Sequence, residues 1–241
     1  MAGGGSWRER IEIIDLALTA LVLGSGVIDV ASFLALGDVF TSAMTGTTAL
    51  LGIALSQGRL LSAAHSFSAL LGFMLGAALA AAMYPREQRG RPGSVAVIRP
   101  LLWIEICCLG LFAALLTLVG RPGESLALYA LILLSAVGMG VQGVAARHIN
   151  SPGINTIVFT STLVSIVISL TDTVMRRSAG RKLHVDTKRQ IGMFFAYSCG
   201  ALLAGILAGP ALPVLAWIPV LAVVAALACC EAAVRAERNA S

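Results

Sequence analysis

An aspartate inside an apolar run is the first residue here that could do chemistry. Asp29 lies in GSGVIDVASFLALGDVFTSAMTGTTALLG, residues 24–52. In lipid an ionised carboxylate is expensive, and one placed there is usually functional. It could bind a proton, a cation or a substrate amine. Hydroxyls follow it, at Thr41, Thr45, Thr47 and Thr48, with Gly46 leaving room for a ligand or a second backbone. A degenerate copy returns at residues 138–165, GMGVQGVAARHINSPGINTIVFTSTLVS. Gly26, Val27, Val30 and Ala31 match Gly140, Val141, Val144 and Ala145. After a one-residue gap, Thr41, Thr45 and Thr47 match Thr156, Thr160 and Thr162, and Ile53 and Leu55 match Ile168 and Leu170. Gln142 lies one position from the equivalent of Asp29, so the two copies could face each other. A repeat in a membrane chain usually places a shared site between its copies.

The elements that must position these groups are apolar and helical. Of 241 residues, 58% are hydrophobic and 12% charged, too apolar for a soluble domain without lipid around it. Eight apolar segments follow, near residues 11–33, 40–55, 65–84, 100–119, 125–146, 155–170, 191–208 and 211–230. They predict an all-α integral membrane protein with a single multi-pass domain, repeat one over about 11–119 and repeat two over about 125–231. The two repeat-bearing segments, 40–55 and 155–170, are the shortest and richest in hydroxyls.

Charge decides between two topologies. One basic loop holds Arg86, Arg89, Arg91 and Arg99; the other holds Arg176, Arg177, Arg181, Lys182, Lys188 and Arg189. Basic loops prefer the cytoplasm. Eight crossings would put these loops on opposite faces. Six crossings plus two re-entrant segments put both loops and both termini inside, and make the repeats inverted. We favour the second topology; eight plain helices with repeat similarity from composition are the alternative.

In the favoured topology the chain dips through residues 34–39, and a half-helix begins near Thr41. The second half-helix enters through Arg147, His148, Asn150, Ser151, Pro152 and Gly153. Two helix N-termini then meet near the bilayer centre, where free N–H groups favour anions or the oxygen of a polar solute. Packing alone is the competing account of the same Ser, Thr and Gly residues. Asp38 could cap the first half-helix. Glu105 and Arg99 read as a snorkelling pair at the interface. Pro213 and Pro219 should kink the last segment, which reads as lipid-facing packing. Cys107, Cys108, Cys199, Cys229 and Cys230 read as small buried apolar residues, without zinc or redox spacing.

No H-E-x-x-H, G-x-S-x-G or phosphate-cradling loop is present. We therefore expect no enzyme, no metal and no cofactor. The formal charge of +5 sits between apolar segments, so it speaks for membrane orientation and not for nucleic acid.

The string GVIDVASFLALGDVFTSAMTGTTALLG resembles the YoaK-like family of bacterial inner-membrane proteins, domain of unknown function 1275. Gly26, Asp29, Ser32 and Phe33 fit its first motif, and Val39, Phe40, Met44, Thr45 and Gly46 its second. Gly140, Gln142, Ala145, Ala146 and Arg147 look like a later one. Thr47 stands where many members have Asn, and Val30 where Ala is usual. The resemblance implies a multi-pass protein of the bacterial inner membrane, and no established activity.

These readings lead to a transporter or channel for a small polar or anionic solute, unidentified by the sequence. Its site is expected at Asp29, Thr41, Thr45, Gly46, Thr47, Gln142, Thr156 and Thr160, with Asp29 as the proton or cation switch and Arg147 drawing anions in. The lipid bilayer is the expected surroundings. A homodimer is left open, because compact repeat transporters often pair. The alternative is a non-transporting membrane scaffold that binds other helices through small-residue surfaces such as Gly72 and Gly76.

Overall fold

The computed structural model describes residues 3–83, 95–149, 159–175, 185–209 and 211–240. The elements are α1 (Gly3–Ala35), α2 (Met44–Ser56), α3 (Leu60–Met83), α4 (Val95–Val119), α5 (Leu126–Ile149), α6 (Phe159–Met175), α7 (Val185–Leu207), α8 (Leu212–Leu215) and α9 (Trp217–Ala240). Among the described residues, six stretches are long and apolar enough to cross a membrane: Glu12–Ala35, Leu60–Met83, Ile98–Val119, Leu126–His148, Thr187–Leu207 and Leu212–Arg235. The expected all-α membrane fold is therefore observed. The 13 residues of α2 rise only about 20 Å. That is short of a hydrocarbon layer of roughly 30 Å.

Several boundaries move. α2 starts at Met44, later than the apolar run begins, because residues 36–43 form a turn. α3 starts at Leu60, five residues before the expected His65. The prolines do interrupt the last segment: Pro213 sits in the first turn of α8, and Pro219 in the first turn of α9. That segment is not simply lipid-facing. Val220, Val223, Ala226, Leu227 and Cys230 are buried, and α9 packs on α1 and α4.

Residue pairs give the helix directions. Asp15 of α1 pairs with Arg189 of α7, and further along Gly26 meets Tyr197 and Ala201, so α1 and α7 are parallel. His65 of α3 meets Glu124, just before α5, and Gly76 meets Val137, so α3 and α5 are parallel too. Glu105 bonds Gln142 while Leu109 lies on Gly138, which makes α4 and α5 antiparallel. Gln142 reaches Leu21 and Ser25 of α1, whereas Ala146 packs with Leu18 and Val22. α1 and α5 therefore run in opposite directions. The starts of α1, α4 and α7 lie at one end of the bundle, with the ends of α3 and α5. α2 joins the end of α1 to the start of α3 and makes no net crossing.

Glycines set the closest approaches. A Cβ on Gly26 would overlap the Tyr197 carbonyl oxygen of α7, and one on Gly200 would overlap that of Leu23 in α1. The α3–α5 crossing repeats this, with Gly76 under the Val137 carbonyl and Gly140 under that of Phe73. One residue pair earlier, Gly24 lies on Ala222 of α9 and Gly138 on Leu109 of α4, with Cβ positions 3.1 Å from each neighbour. Each Gly-x-Gly thus seats one helix against two others. In lipid such close packing, not exclusion of water, holds helices together. Gly72 and Gly76 face Ala136 and Val137 of α5, so this small-residue surface is already occupied within the chain. Leu21, Ile28, Leu102, Leu109, Leu131 and Ile132 fill the core between these crossings.

Candidate functional site

The polar groups gather at two levels of α1. Ser25, Asp29 and Ser32 follow at spacings of four and three, which lines them on one face of the helix.

At the upper level, Asp29 is 0% exposed and accepts five hydrogen bonds. Oδ1 accepts the backbone N–H groups of Thr41 (2.9 Å), Ser42 (2.7 Å) and Ala43 (3.3 Å). Oδ2 accepts the Ser42 hydroxyl at 2.5 Å and the Tyr197 hydroxyl of α7 at 2.8 Å. These N–H groups belong to the entry of α2, whose own N-cap, Ala43, offers no side-chain bond. A carboxylate on α1 therefore caps α2 across space, where its charge also meets the positive end of the helix dipole. Asp29 lies six residues before the end of α1, so α2 begins about 9 Å below that end. Asp38, expected as the cap, is exposed and has φ of 59°. It forms the reversal after α1 with Gly37, φ 80°.

The remaining junction contacts are local. The Ser32 and Thr41 hydroxyls lie 3.3 Å apart. The Thr47 hydroxyl donates to the Phe40 carbonyl at 2.7 Å and accepts its N–H at 3.1 Å, closing the turn. Phe40 stacks on Phe33 with ring centroids 4.9 Å apart. On its other side lies Gly46, where a Cβ would sit 3.0 Å from the ring. The glycine is needed because the ring fills the place of a side chain.

At the lower level, Gln142 of α5 accepts the Ser25 hydroxyl at 2.7 Å and donates to Glu105 of α4 at 2.8 Å. Glu105 is 0% exposed, and its Oε2 has no hydrogen-bond partner among the described residues. The expected interface pair with Arg99 is not formed. Arg99 pairs instead with Glu231 of α9 at 3.0 Å. A six-residue spacing turns two side chains about 120° apart on a helix, so the sequence carried the warning.

Of the expected site, Asp29, Thr41, Gly46 and Thr47 come together at the α1–α2 junction. Thr45, in the first turn of α2, is exposed. Gln142 belongs to the lower cluster and does not bond Asp29. Thr156 lies outside the described residues, as do residues 150–153 and the basic stretch 176–182. Thr160 falls in the first turn of α6, its side chain outside those described. Ser25, Ser42, Glu105 and Tyr197 were missed. Ser42 sits in the hydroxyl run, but nothing near Tyr197 in sequence ties it to a residue 168 positions away. Among the described residues no group of three or more His, Cys, Asp or Glu could hold a metal ion.

No solved structure matches the chain. It is 26% identical over 207 residues to the UPF0700 transmembrane protein YoaK of Bacillus subtilis (strain 168), covering 84% of this chain and 88% of that one. Residues 17–229 match the family model described as protein of unknown function DUF1275, a span that includes the Asp29 junction, both glycine crossings and the Glu105–Gln142 pair. This chain, a multi-pass membrane protein, belongs to that family.

Proposed function

We propose that the protein moves a small polar solute across the bacterial inner membrane, as a transporter or channel and not as an enzyme. The observation that carries this is the entry of α2, polar backbone held below the end of a membrane helix by a buried carboxylate. Irregular backbone at that depth is tolerated where protein buries it or where it lines a wet cavity. Broken helices in transporters mark the substrate site. Asp29 already takes the N–H groups that an anion would seek, so a neutral polar solute suits this junction better than an anionic one.

The two halves act as inverted repeats in this reading. Three features support it: the antiparallel first helices α1 and α5, the matched Gly-x-Gly crossings, and the short second helices. The basic connections all attach at the end of the bundle where α1 begins, which supports cytoplasmic termini.

The first test is thiol labelling of Thr45→Cys in intact membranes, in a background without native cysteines. A small impermeant polar reagent should label it far faster than Leu221→Cys, a position 65% exposed midway along the apolar part of α9. Equal rates would mean a dry junction and would remove the transport reading. Uptake into proteoliposomes over a broad solute panel then identifies the cargo.

A further inference from the structure

We infer that Glu105 is a reversible proton-binding site, read out by a hydrogen-bond chain that runs from α4 through Gln142 of α5 to Ser25 of α1. As the coupling group of a transport cycle it rests on the transport reading. As a protonation site it stands on its own geometry.

The geometry is a carboxyl group enclosed by three helices with one oxygen unused. Glu105 is 0% exposed and Oε2 is unpartnered among the described residues. No Lys, Arg or His among them pairs with it. Arg99 on its own helix is held by Glu231 of α9, and Asp15 of α1 pairs with Arg189. The other titratable groups described on these helices are Cys107 and Cys108 on α4, Cys229, Cys230 and Arg235 on α9, Glu12 on α1, and Tyr129, Arg147 and His148 near the ends of α5. Asp29 on α1 is committed to α2 and Tyr197. A negative charge at Glu105 is thus opposed by one amide donor alone, and taking up a proton removes the cost of that charge.

The chain has two self-consistent arrangements. With Glu105 ionised, Ser25 donates to Gln142 Oε1, and Gln142 Nε2 donates to Glu105 Oε1. The second amide proton points to the Leu21 carbonyl at 3.5 Å. When a proton bonds to Glu105, the amide turns over. Glu105 O–H then donates to Gln142 Oε1, Nε2 donates to the Ser25 hydroxyl, and Ser25 donates to the Leu21 carbonyl, 3.0 Å away. Amide oxygen and nitrogen exchange places, Glu105, Gln142 and Ser25 each donate one bond along the chain, and the cluster goes from one negative charge to none. Ser25 lies one turn before Asp29, so the chain ends beside the group that pins α2.

The test is infrared difference spectroscopy of the full-length protein in lipid nanodiscs, titrated with pH. We expect the C=O stretch of a protonated carboxyl to disappear reversibly as pH rises, and to be missing in Glu105→Gln. Gln142→Leu should shift the band's frequency, and Ser25→Ala should shift the midpoint of its titration. Circular dichroism and monodispersity should be unchanged in Glu105→Gln, which mimics the protonated form. A band that ignores pH, survives in Glu105→Gln or never appears overturns the proposal. A titrating Glu105 in a protein that moves no solute would sink the transport reading and leave the proton site standing.

Discussion

At the end of α1 a carboxylate grips the next helix; at the matching place in α5 there is none. Asp29 aligns with Gly143, three residues after the equivalent glycines Gly26 and Gly140. The two halves cross their neighbours at glycines in matching places, Gly26 and Gly200 under the carbonyls of Tyr197 and Leu23, Gly140 and Gly76 under those of Phe73 and Val137. They treat their second helices differently. α2 is capped by Asp29, tied through Tyr197 to α7, and wedged by Phe40 between Phe33 and Gly46. α6 rests on α7, with Ser169 bonding Thr187 at 2.7 Å and Ile166 as its buried apolar residue among those described. A shared framework can thus carry one second helix whose entry a carboxylate pins and one with no carboxylate at the matching place.

The largest effect should come from breaking what the halves share. Gly26→Leu or Gly140→Leu forces a side chain into a neighbouring backbone, and each should cost more than about 4 kcal/mol, seen as loss of monodisperse protein. Similar losses from both would confirm that the crossings are equivalent; a tolerated Gly140→Leu would break the comparison.

Next is the pin itself. Asp29→Ala leaves three N–H groups and two hydroxyls without their acceptor and should cost roughly 3–5 kcal/mol in thermal unfolding. Asp29→Asn keeps an acceptor for the α2 entry and should cost about half as much. Hydrogen exchange sharpens the contrast. The amides of α2 should exchange more slowly than those of α6, and Asp29→Ala should bring α2 to the rate of α6. Equal rates in the native protein would mean that the pin has no dynamic consequence.

Smaller effects separate the individual bonds. Thr47→Val removes both bonds to Phe40 and should lower stability by about 1–2 kcal/mol. Tyr197→Phe loses one bond to a carboxylate, about 1–2 kcal/mol. Thr45→Ala, at an exposed position, should change stability by no more than about 0.5 kcal/mol while remaining a candidate for altered uptake.

Much of the framework was readable from residues alone. The apolar runs marked eight segments, loop charge favoured six crossings among them, and Gly26 with Gly140 marked matching positions. Of the residues singled out around Asp29, four, Asp29, Thr41, Gly46 and Thr47, meet in the turn at the α1–α2 junction. Thr45 stands outside it, and Gln142 belongs to another cluster. Glu105 was assigned to Arg99 by nearness in sequence, although a helix turns those two apart.

The sequence by itself determined that this chain is a multi-pass membrane protein and that it is helical. Those properties depend on local composition and period, which neighbouring residues settle among themselves. Only the tertiary structure decided which polar groups meet. Asp29 finds Tyr197, and Glu105 finds Gln142 and through it Ser25, across separations of 168, 37 and 117 residues. Such pairings follow from where four glycine contacts let the helices touch, and a buried polar group must take the partner that this packing brings within reach.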